Sequence, residues 1–457
     1  MSMVLQTRPK KRHSMPSNDV TNLLLLLSSR VKRQRAHVST WDANMDREVS
    51  PPPIKRRRLA TSSDSTIKDD ISVGPAQKLP HSDAARPLGN PTFKTIRIFS
   101  WNINGIQPFI PASAVPITSY FKPLRPDAAD VLPTTDHGAS NLLRAFLSRH
   151  DWPEVLFLQE LKISPTSGSR ISSALLSTLN SSMGPEDEVT PGRSYTVDFV
   201  LPRDKHNAKA FQGKLYGVAT VLRTDFAKRY VTRVRDVSWD LEGRVSIVET
   251  CRDDLPGRSP NEDVVRPLAL VNVYAVNGTS APYKAPQTGK VVGTRHDHKL
   301  AFHSRLRDEC LLLESRGFDV VIAGDLNIAR GFLDGYPNLR TYPAQHCRNR
   351  ADFNAKFFEL EDNERAQAYL EDGDKSGKEK EAGFHGVDVF RALHGAQRRY
   401  TYHPRTKAWG TSADRVDMMI VSKMLWETDR VTRTGICDSP QERGPSDHVP
   451  LWVEVSL

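Results

Sequence analysis

The stretch Ile96-Arg97-Ile98-Phe99-Ser100-Trp101, followed at once by Asn102-Ile103-Asn104-Gly105, is an apolar run of strand length that stops abruptly in amides and a turn glycine. The same design recurs along the chain. Val155–Leu158 ends in Gln159-Glu160, and Leu268–Val273 ends in Tyr274 and then Asn277-Gly278. Val320–Ala323 ends in Gly324-Asp325-Leu326-Asn327, and Ser446-Asp447-His448 stands just before the run Leu451–Val455. A single ending of this kind reads as a turn or a helix cap. Five of them, each with an amide, a carboxylate or a His, point to strands that finish along one edge and deliver polar side chains to one cleft. Gly217–Leu222, Val245–Val248 and Val416–Val421 add further strand-length runs, with helical patterns at Asn141–Arg149 and His298–Arg316. Many strands with few helices imply packed sheets covered by helices, a layered α/β sandwich of α+β type.

The expected cleft holds Glu160, Asp325 and Asp447, with Asn102, Asn104, Asn327 and His448 around them. Carboxylate and amide oxygens without thiolates suit a hard cation, Mg²⁺ or Mn²⁺. Three neighbouring carboxylates repel one another unless a cation or a raised pKa compensates. Such a set serves metal-assisted phosphodiester hydrolysis, in which a cation neutralises charge on the phosphate while a base or orienting group delivers water.

The chain has 457 residues, 38% of them hydrophobic, enough for one large or two ordinary domains, and 64 Lys+Arg against 54 Asp+Glu give a net charge of +10. Residues 1–60 hold 13 Lys/Arg against 4 Asp/Glu, so nearly all the basic excess lies in that tail. Residues 1–92 lack a sustained apolar period and read as a disordered basic tail. Its clusters Lys32-Arg33-Gln34-Arg35 and Lys55-Arg56-Arg57-Arg58 resemble nuclear import signals, and the Pro-flanked second cluster favours the nucleus. A mitochondrial presequence over residues 1–40 is the alternative, being basic, Ser-rich and poor in acids. Four scattered Cys without CxxC exclude a disulfide scaffold or Cys-rich zinc module and fit a reducing compartment. The longest apolar run, Leu23–Leu27, is too short to cross a bilayer, so no membrane is expected, with a monomer as the default. Residues 93–457 read as the catalytic domain, with loop insertions near 107–139 and 361–383. The chain ends just past the last strand, so no appended zinc finger or clamp-binding peptide is expected.

Taken in order, the motifs Trp101-Asn102-Ile103-Asn104-Gly105, Leu158-Gln159-Glu160-Leu161-Lys162, Gly217-Val218-Ala219, Glu242-Gly243-Arg244-Val245, Asn272-Val273-Tyr274, Gly324-Asp325-Leu326-Asn327, Arg415-Val416-Asp417 and Ser446-Asp447-His448 resemble exonuclease III-type apurinic/apyrimidinic (AP) endonucleases. These belong to the endonuclease/exonuclease/phosphatase superfamily. The resemblance spans residues 95–457 and implies a four-layered, deoxyribonuclease-I-like sandwich of two mainly antiparallel sheets flanked by helices. It implies a Mg²⁺-dependent enzyme of base excision repair that cuts double-stranded DNA 5′ to abasic sites and clears blocked 3′ ends by 3′–5′ exonuclease or phosphodiesterase action. Inositol phosphatases and RNA deadenylases share the shorter motifs and form the alternative.

In the resemblance Glu160 holds the metal, supported by Asn104 and Asp447, with Asp325, Asn327 and His448 at the same centre. Asp325 activates or orients water, and Asn102 and Asn327 hold the phosphate and Asp325. His448 contacts a phosphate oxygen while paired with Asp417, and Tyr274 and Asn277 bind the scissile phosphate. Lys162, Arg244 and Tyr402 are candidates for phosphate or DNA contact. Two departures stand out: Val276 replaces the usual Pro, and Asp414 stands where some members have a Trp that helps enclose the base-free sugar, and both bear on substrate choice. Trp409 lies in a nearby loop that is a candidate to substitute. Arg295, Lys299 and Arg305 form a possible DNA-facing stripe but are not counted as site residues, and His296, His298 and His303 lack the context of a zinc site.

Overall fold

The computed structural model describes residues 95–110, 142–165, 168–182, 187–208, 213–251, 265–359 and 382–457. The basic tail and the interiors of the two expected insertions lie outside the described residues. At the edge of the first, Gln107–Phe109 is a turn of 3-10 helix with Phe109 fully buried, so residues 107–110 belong to the packed body and not to an insertion.

The first seven strands are β1 (Thr95–Asn102), β2 (Val155–Gln159), β3 (Tyr195–Val200), β4 (Val218–Arg223), β5 (Val231–Asp236), β6 (Val245–Thr250) and β7 (Leu268–Tyr274). There follow β8 (Pro282–Lys284), β9 (Val291–Thr294), β10 (Asp319–Asp325), β11 (Gly335–Tyr336) and β12 (Val387–Asp388). The last are β13 (Ala413–Asp414), β14 (Asp417–Val421), β15 (Val431–Ile436) and β16 (Leu451–Ser456). The helices are α1 (Leu142–Arg149), α2 (Gly168–Asn180), α3 (Thr224–Tyr230), α4 (Arg295–Ser315), α5 (Ala344–Phe357), α6 (Val389–His394), α7 (Lys423–Glu427) and α8 (Pro440–Arg443).

One six-stranded sheet runs β15-β16-β1-β2-β4-β3 and the other β12-β14-β10-β7-β6-β5. Each is antiparallel except at its centre, where β1 and β2 run parallel in the first sheet and β7 and β10 in the second. Side chains alternate across a strand. Ile96, Ile98, Val155 and Phe157 therefore meet Leu268, Leu270, Val321 and Ala323 in the core between the sheets. The outer face of the first sheet carries Phe99, Trp101, Leu156 and Leu158 against Leu143, Phe146 and Leu147 of α1 and Ile171, Leu175 and Leu179 of α2. The outer face of the second carries Val271, Val273, Val320 and Ile322 against Phe302, Leu306 and Leu313 of α4 and Phe353 and Phe357 of α5. Helices, sheet, sheet and helices form the four layers of a deoxyribonuclease-I-like sandwich.

Candidate active site

The inner face is apolar along most of its length and turns polar at one end. On β1 the series Ile96, Ile98 continues as Ser100 and Asn102, and on β2 Val155, Phe157 continues as Gln159. On β7 Leu268, Leu270 gives way to Asn272 and Tyr274, and on β10 Val321, Ala323 gives way to Asp325. β14 runs antiparallel to β10 and brings Asp417 opposite Asp325. Both parallel pairs thus deliver their carboxyl ends to one edge, where α/β sheets gather ligands. Gln159 Nε2 donates to Ser100 Oγ (3.0 Å) and to Asn272 Oδ1 (2.8 Å), joining the two sheets beneath the cleft.

The backbone leaves the strands sharply. Asn104 (φ 50°), Glu160 (58°), Lys162 (52°) and Asn327 (52°) all adopt the left-handed conformation that non-glycine residues rarely occupy. Such strain persists where surrounding structure over-determines it, and it concentrates at functional sites. Gly324 is required by packing as well as by its φ of 151°, since a Cβ there would fall 1.9 Å from the Val273 carbonyl oxygen of the neighbouring strand.

Asn102 links the two sheets. Its Nδ2 donates to Glu160 Oε2 and to Asp325 Oδ2, each at 2.9 Å, and its Oδ1 accepts from the Asn104 amide at 3.0 Å. Asn104 Nδ2 donates to Asp447 Oδ1 (2.8 Å), which brings Glu160, Asp325 and Asp447 into one buried cluster. Lys162 is turned inward: its Nζ lies 2.7 Å from Glu160 Oε1 and also donates to Asn104 Oδ1. Asn327 closes the far side, donating from its main-chain N to Asp325 Oδ1 (2.8 Å) and from Nδ2 to the Ala275 carbonyl (3.0 Å).

Electrostatics follow from burial. The Asp325 carboxyl is pushed up to about 7 by desolvation and by the charge of Asp417. Asp447 is raised by burial and by Glu160. Burial acts the same way on Glu160, but the charge and hydrogen bond of Lys162 outweigh it and hold that carboxyl low. His448 Nδ1 and Asp417 Oδ2 are 2.7 Å apart; burial disfavours the imidazolium, yet Asp417, with Asp325 and Asp447 beyond, raises its pKa to about 10. Main-chain anchors orient the pair. Thr401 Oγ1 accepts from the Asp417 amide, Ser446 Oγ donates to the Asn102 carbonyl, and Trp101 Nε1 donates to the His448 carbonyl.

The donor set fits a divalent cation. Glu160 and Asn104, from the turns that follow β2 and β1, turn an oxygen each onto one cationic group, the Lys162 ammonium, and Asp447 lies against Asn104. All three offer oxygens, the ligands a hard cation takes. Ligand atoms of Asp325, Asp417 and His448 also lie within 4.8 Å of one another. That trio could likewise hold a metal ion, with Nε2 the imidazole nitrogen left over from the His448–Asp417 contact.

Tyr274 ends β7 buried at the cleft, its phenol held well above its ordinary pKa by burial and by Glu160. Arg244 does not face solvent. It pairs with Glu242 (2.8 Å), donates to the Tyr274 and Ala275 carbonyls, and sits 4.9 Å from the Tyr274 ring centroid, bracing that residue from behind. Tyr402 is buried with its ring 5.1 Å from that of His448, and its backbone pairs with Asp414. Asn277 is half-buried just past Val276. Trp409 stacks on His403 at 3.8 Å.

The basic residues of α4 do not form an outward stripe. Lys299 is 2% exposed and donates from Nζ to the Asn327 carbonyl (2.7 Å), Arg295 forks onto Glu242, and Arg305 donates to the Trp239 carbonyl. His296, His298 and His303 reach three different partners: Asn349, Glu242 and Asp352. Lys299 and Glu242 are thus the site's supports that residue types alone did not single out. The spacing of Lys299, Phe302, His303, Leu306, Cys310 and Leu313, all buried, is the helical stripe that would have marked Lys299 as internal.

A layered sandwich whose strand ends gather acids, amides and a His–Asp pair is the arrangement of a phosphoester hydrolase. The model of the endonuclease/exonuclease/phosphatase family matches residues 99–448, and the chain belongs to that family. Among curated proteins none matches. Solved structures that resemble it include the APE2 catalytic domain of Xenopus laevis, 17% identical over 79% of this chain and 93% of that one, with a TM-score of 0.47. The AP endonuclease LMAP of Leishmania major is 17% identical over 82% of this chain and 93% of that one (TM-score 0.47). The 3′ phosphatase NExo of Neisseria, bound to a product DNA hairpin, is 18% identical over 79% of this chain and 100% of that one (TM-score 0.43).

Proposed function

We propose that this protein is a Mg²⁺-dependent DNA repair nuclease that hydrolyses the phosphodiester 5′ to abasic sites and trims blocked 3′ ends. The observation that carries this reading is the convergence of Glu160 and Asn104 oxygens on one cationic position, beside Asp447 and across Asn102 from Asp325. The ordered motifs, Glu-Gly-Arg and Asn-Val-Tyr among them, together with Lys162 after the Gln-Glu, favour the DNA branch of the family. Glu160, Asn104 and Asp447 would hold the cation, Mn²⁺ serving in place of Mg²⁺, and its charge would offset that developing on the phosphate. Asp325, fixed by Asn102 and the Asn327 amide, orients and deprotonates the attacking water. His448, kept cationic by Asp417, donates to a phosphate oxygen from Nε2, and the protonated Tyr274 donates to another. The basic tail directs the protein to the nucleus.

A panel of a duplex containing an abasic analogue, a poly(A) strand and an inositol bisphosphate, each with Mg²⁺ or EDTA, tests the activity. Incision of the abasic duplex alone, in Mg²⁺ alone, is the expected result. Release of phosphate from the inositol compound or shortening of poly(A), with the duplex intact, overturns it. Nuclear accumulation should be lost on deletion of residues 1–60; unchanged accumulation refutes the import role.

A further inference from the structure

The β8–β9 ribbon belongs to neither large sheet. It leaves the cleft directly after Asn277 and returns into α4, whose first residue Arg295 donates from its backbone to the Ala281 carbonyl. A lone two-stranded ribbon is at best marginally stable in water. This one is braced on two sides. Tyr283 stacks flat on His298 (3.9 Å, 9°), with the Arg295 guanidinium 5.6 Å from its ring. Asn207 donates to the Lys284 carbonyl (2.7 Å) and accepts from the Lys284 amide (2.9 Å). His206 also lies against the ribbon's turn, since a Cβ on Gly289 would come 3.0 Å from its ring. His298 and Arg295 both bind Glu242, which binds Arg244 behind Tyr274, so one ionic network ties the ribbon to the cleft.

The ribbon nevertheless stands clear of the body. Val291 and Val292 are consecutive and so face opposite sides, yet each is 62% exposed. Residues 278–293 include Lys284 and Lys290 and no Asp or Glu. Lys205, exposed on the adjoining turn, adds a third positive charge, and none of the three has an acidic partner among the described residues. Rigid bracing of an unpaired, acid-free cationic arm beside a phosphodiester site fits one occupant by charge: the phosphate backbone of the duplex flanking the cleaved bond. We infer that the β8–β9 ribbon is a duplex-binding arm, with Lys284 and Lys290 neutralising phosphates outside the reacting one. The inference rests on the DNA reading above.

The test compares the full chain with its Lys284→Ala/Lys290→Ala variant by equilibrium binding to a duplex with an abasic analogue in EDTA, over a series of salt concentrations. Losing two phosphate contacts should reduce the slope of log K against log salt by about 1.8. The loss of affinity between 50 and 200 mM salt then shrinks by about tenfold relative to the unaltered chain. Hydrolysis of bis(p-nitrophenyl) phosphate in Mg²⁺, which reaches no further than the cleft, should be unchanged, and Lys284→Arg/Lys290→Arg should restore the slope. An unaltered slope in the alanine variant, with abasic duplex still cut by the unaltered chain, overturns the arm alone. Failure of the unaltered chain to bind duplex overturns the arm and the DNA reading together. Equal loss of small-substrate hydrolysis assigns the lysines to the cleft and refutes the arm.

Discussion

Burying an ammonium costs several kcal/mol unless partners repay it. Lys299 is buried, with the Asn327 carbonyl as acceptor, and burial together with Arg244 brings its pKa down to about 7. That arrangement is poor for stability and good for geometry, because it holds the left-handed turn from which Asn327 reaches Asp325. Lys299→Met keeps the stem and removes the donor. We expect kcat to fall about 10- to 100-fold, the equivalent of one charged hydrogen bond, with KM little changed. The unfolding midpoint should hold or rise, since no charge remains to be desolvated. A falling midpoint with unchanged kcat would reduce Lys299 to packing. The carboxylates divide differently: Glu160→Ala should abolish turnover through lost metal affinity, restored in part by excess Mg²⁺. Asp325→Asn should lower kcat by about 10²- to 10⁴-fold with DNA binding kept. Kinetics across a metal series separate the two, and full activity in either variant refutes its role.

Short elements carry the site's outer segments, and α8 shows how. Ser439 caps it, and Glu442 crosses to Arg149 and His150 at the end of α1, immediately before Ser446-Asp447-His448. Burial raises the Glu442 carboxyl, but hydrogen bonds from His150 and Arg149 prevail and bring it down to about 2 from 4.5. The folded value lies below the unfolded one, so this contribution is complete above about pH 4.5 and is lost as pH falls toward 2. Glu442→Gln should cost about 1 kcal/mol or less near neutral pH, since Arg149 is half exposed, and the gap should close between pH 4.5 and 2 in denaturant titrations. A gap independent of pH would mean that Glu442 acts through shape alone. The same scale explains what could be read in advance. β2, β7 and β10 are buried on both faces, and β1 over most of its length, so they appear as largely apolar runs ending in Gln159, Tyr274, Asp325 and Asn102. β5 is an edge strand, Val-Thr-Arg-Val-Arg-Asp, whose charges hide its period. α5 buries only Asn349, Phe353 and Phe357 of fourteen residues, too few for an apolar stripe to show in sequence. Among site residues, the strand-end acids and amides were legible because nothing apolar disguised them. The inward turn of Lys162 and Arg244 was not, because a cation on a loop gives no sign of which carboxylate it will find.

On the scale of the whole molecule, the sandwich holds two six-stranded sheets together with an apolar core at one end and a cluster of buried acids at the other. Hydrophobic burial can support the first end; the second works against it, because Asp325 and Asp447 are both displaced upward by desolvation and by neighbouring carboxylates. A divalent cation bound by the folded chain and not by the unfolded one adds RT ln(1 + [L]/Kd), about 2.7 kcal/mol at a hundredfold excess over Kd. Thermal unfolding should therefore shift upward by several degrees as Mg²⁺ is titrated in, and chelation should reverse the shift. Glu160, the ligand proposed above, is also the carboxylate partner of Lys162, so Glu160→Ala should flatten the Mg²⁺ dependence while retaining a cooperative transition. The measurement needs no substrate and no turnover. A midpoint that rises with Mg²⁺ equally in the unaltered chain and in Glu160→Ala would place the stabilising cation elsewhere, and the two sheets would then owe their polar edge to hydrogen bonding through Asn102 and Gln159 alone.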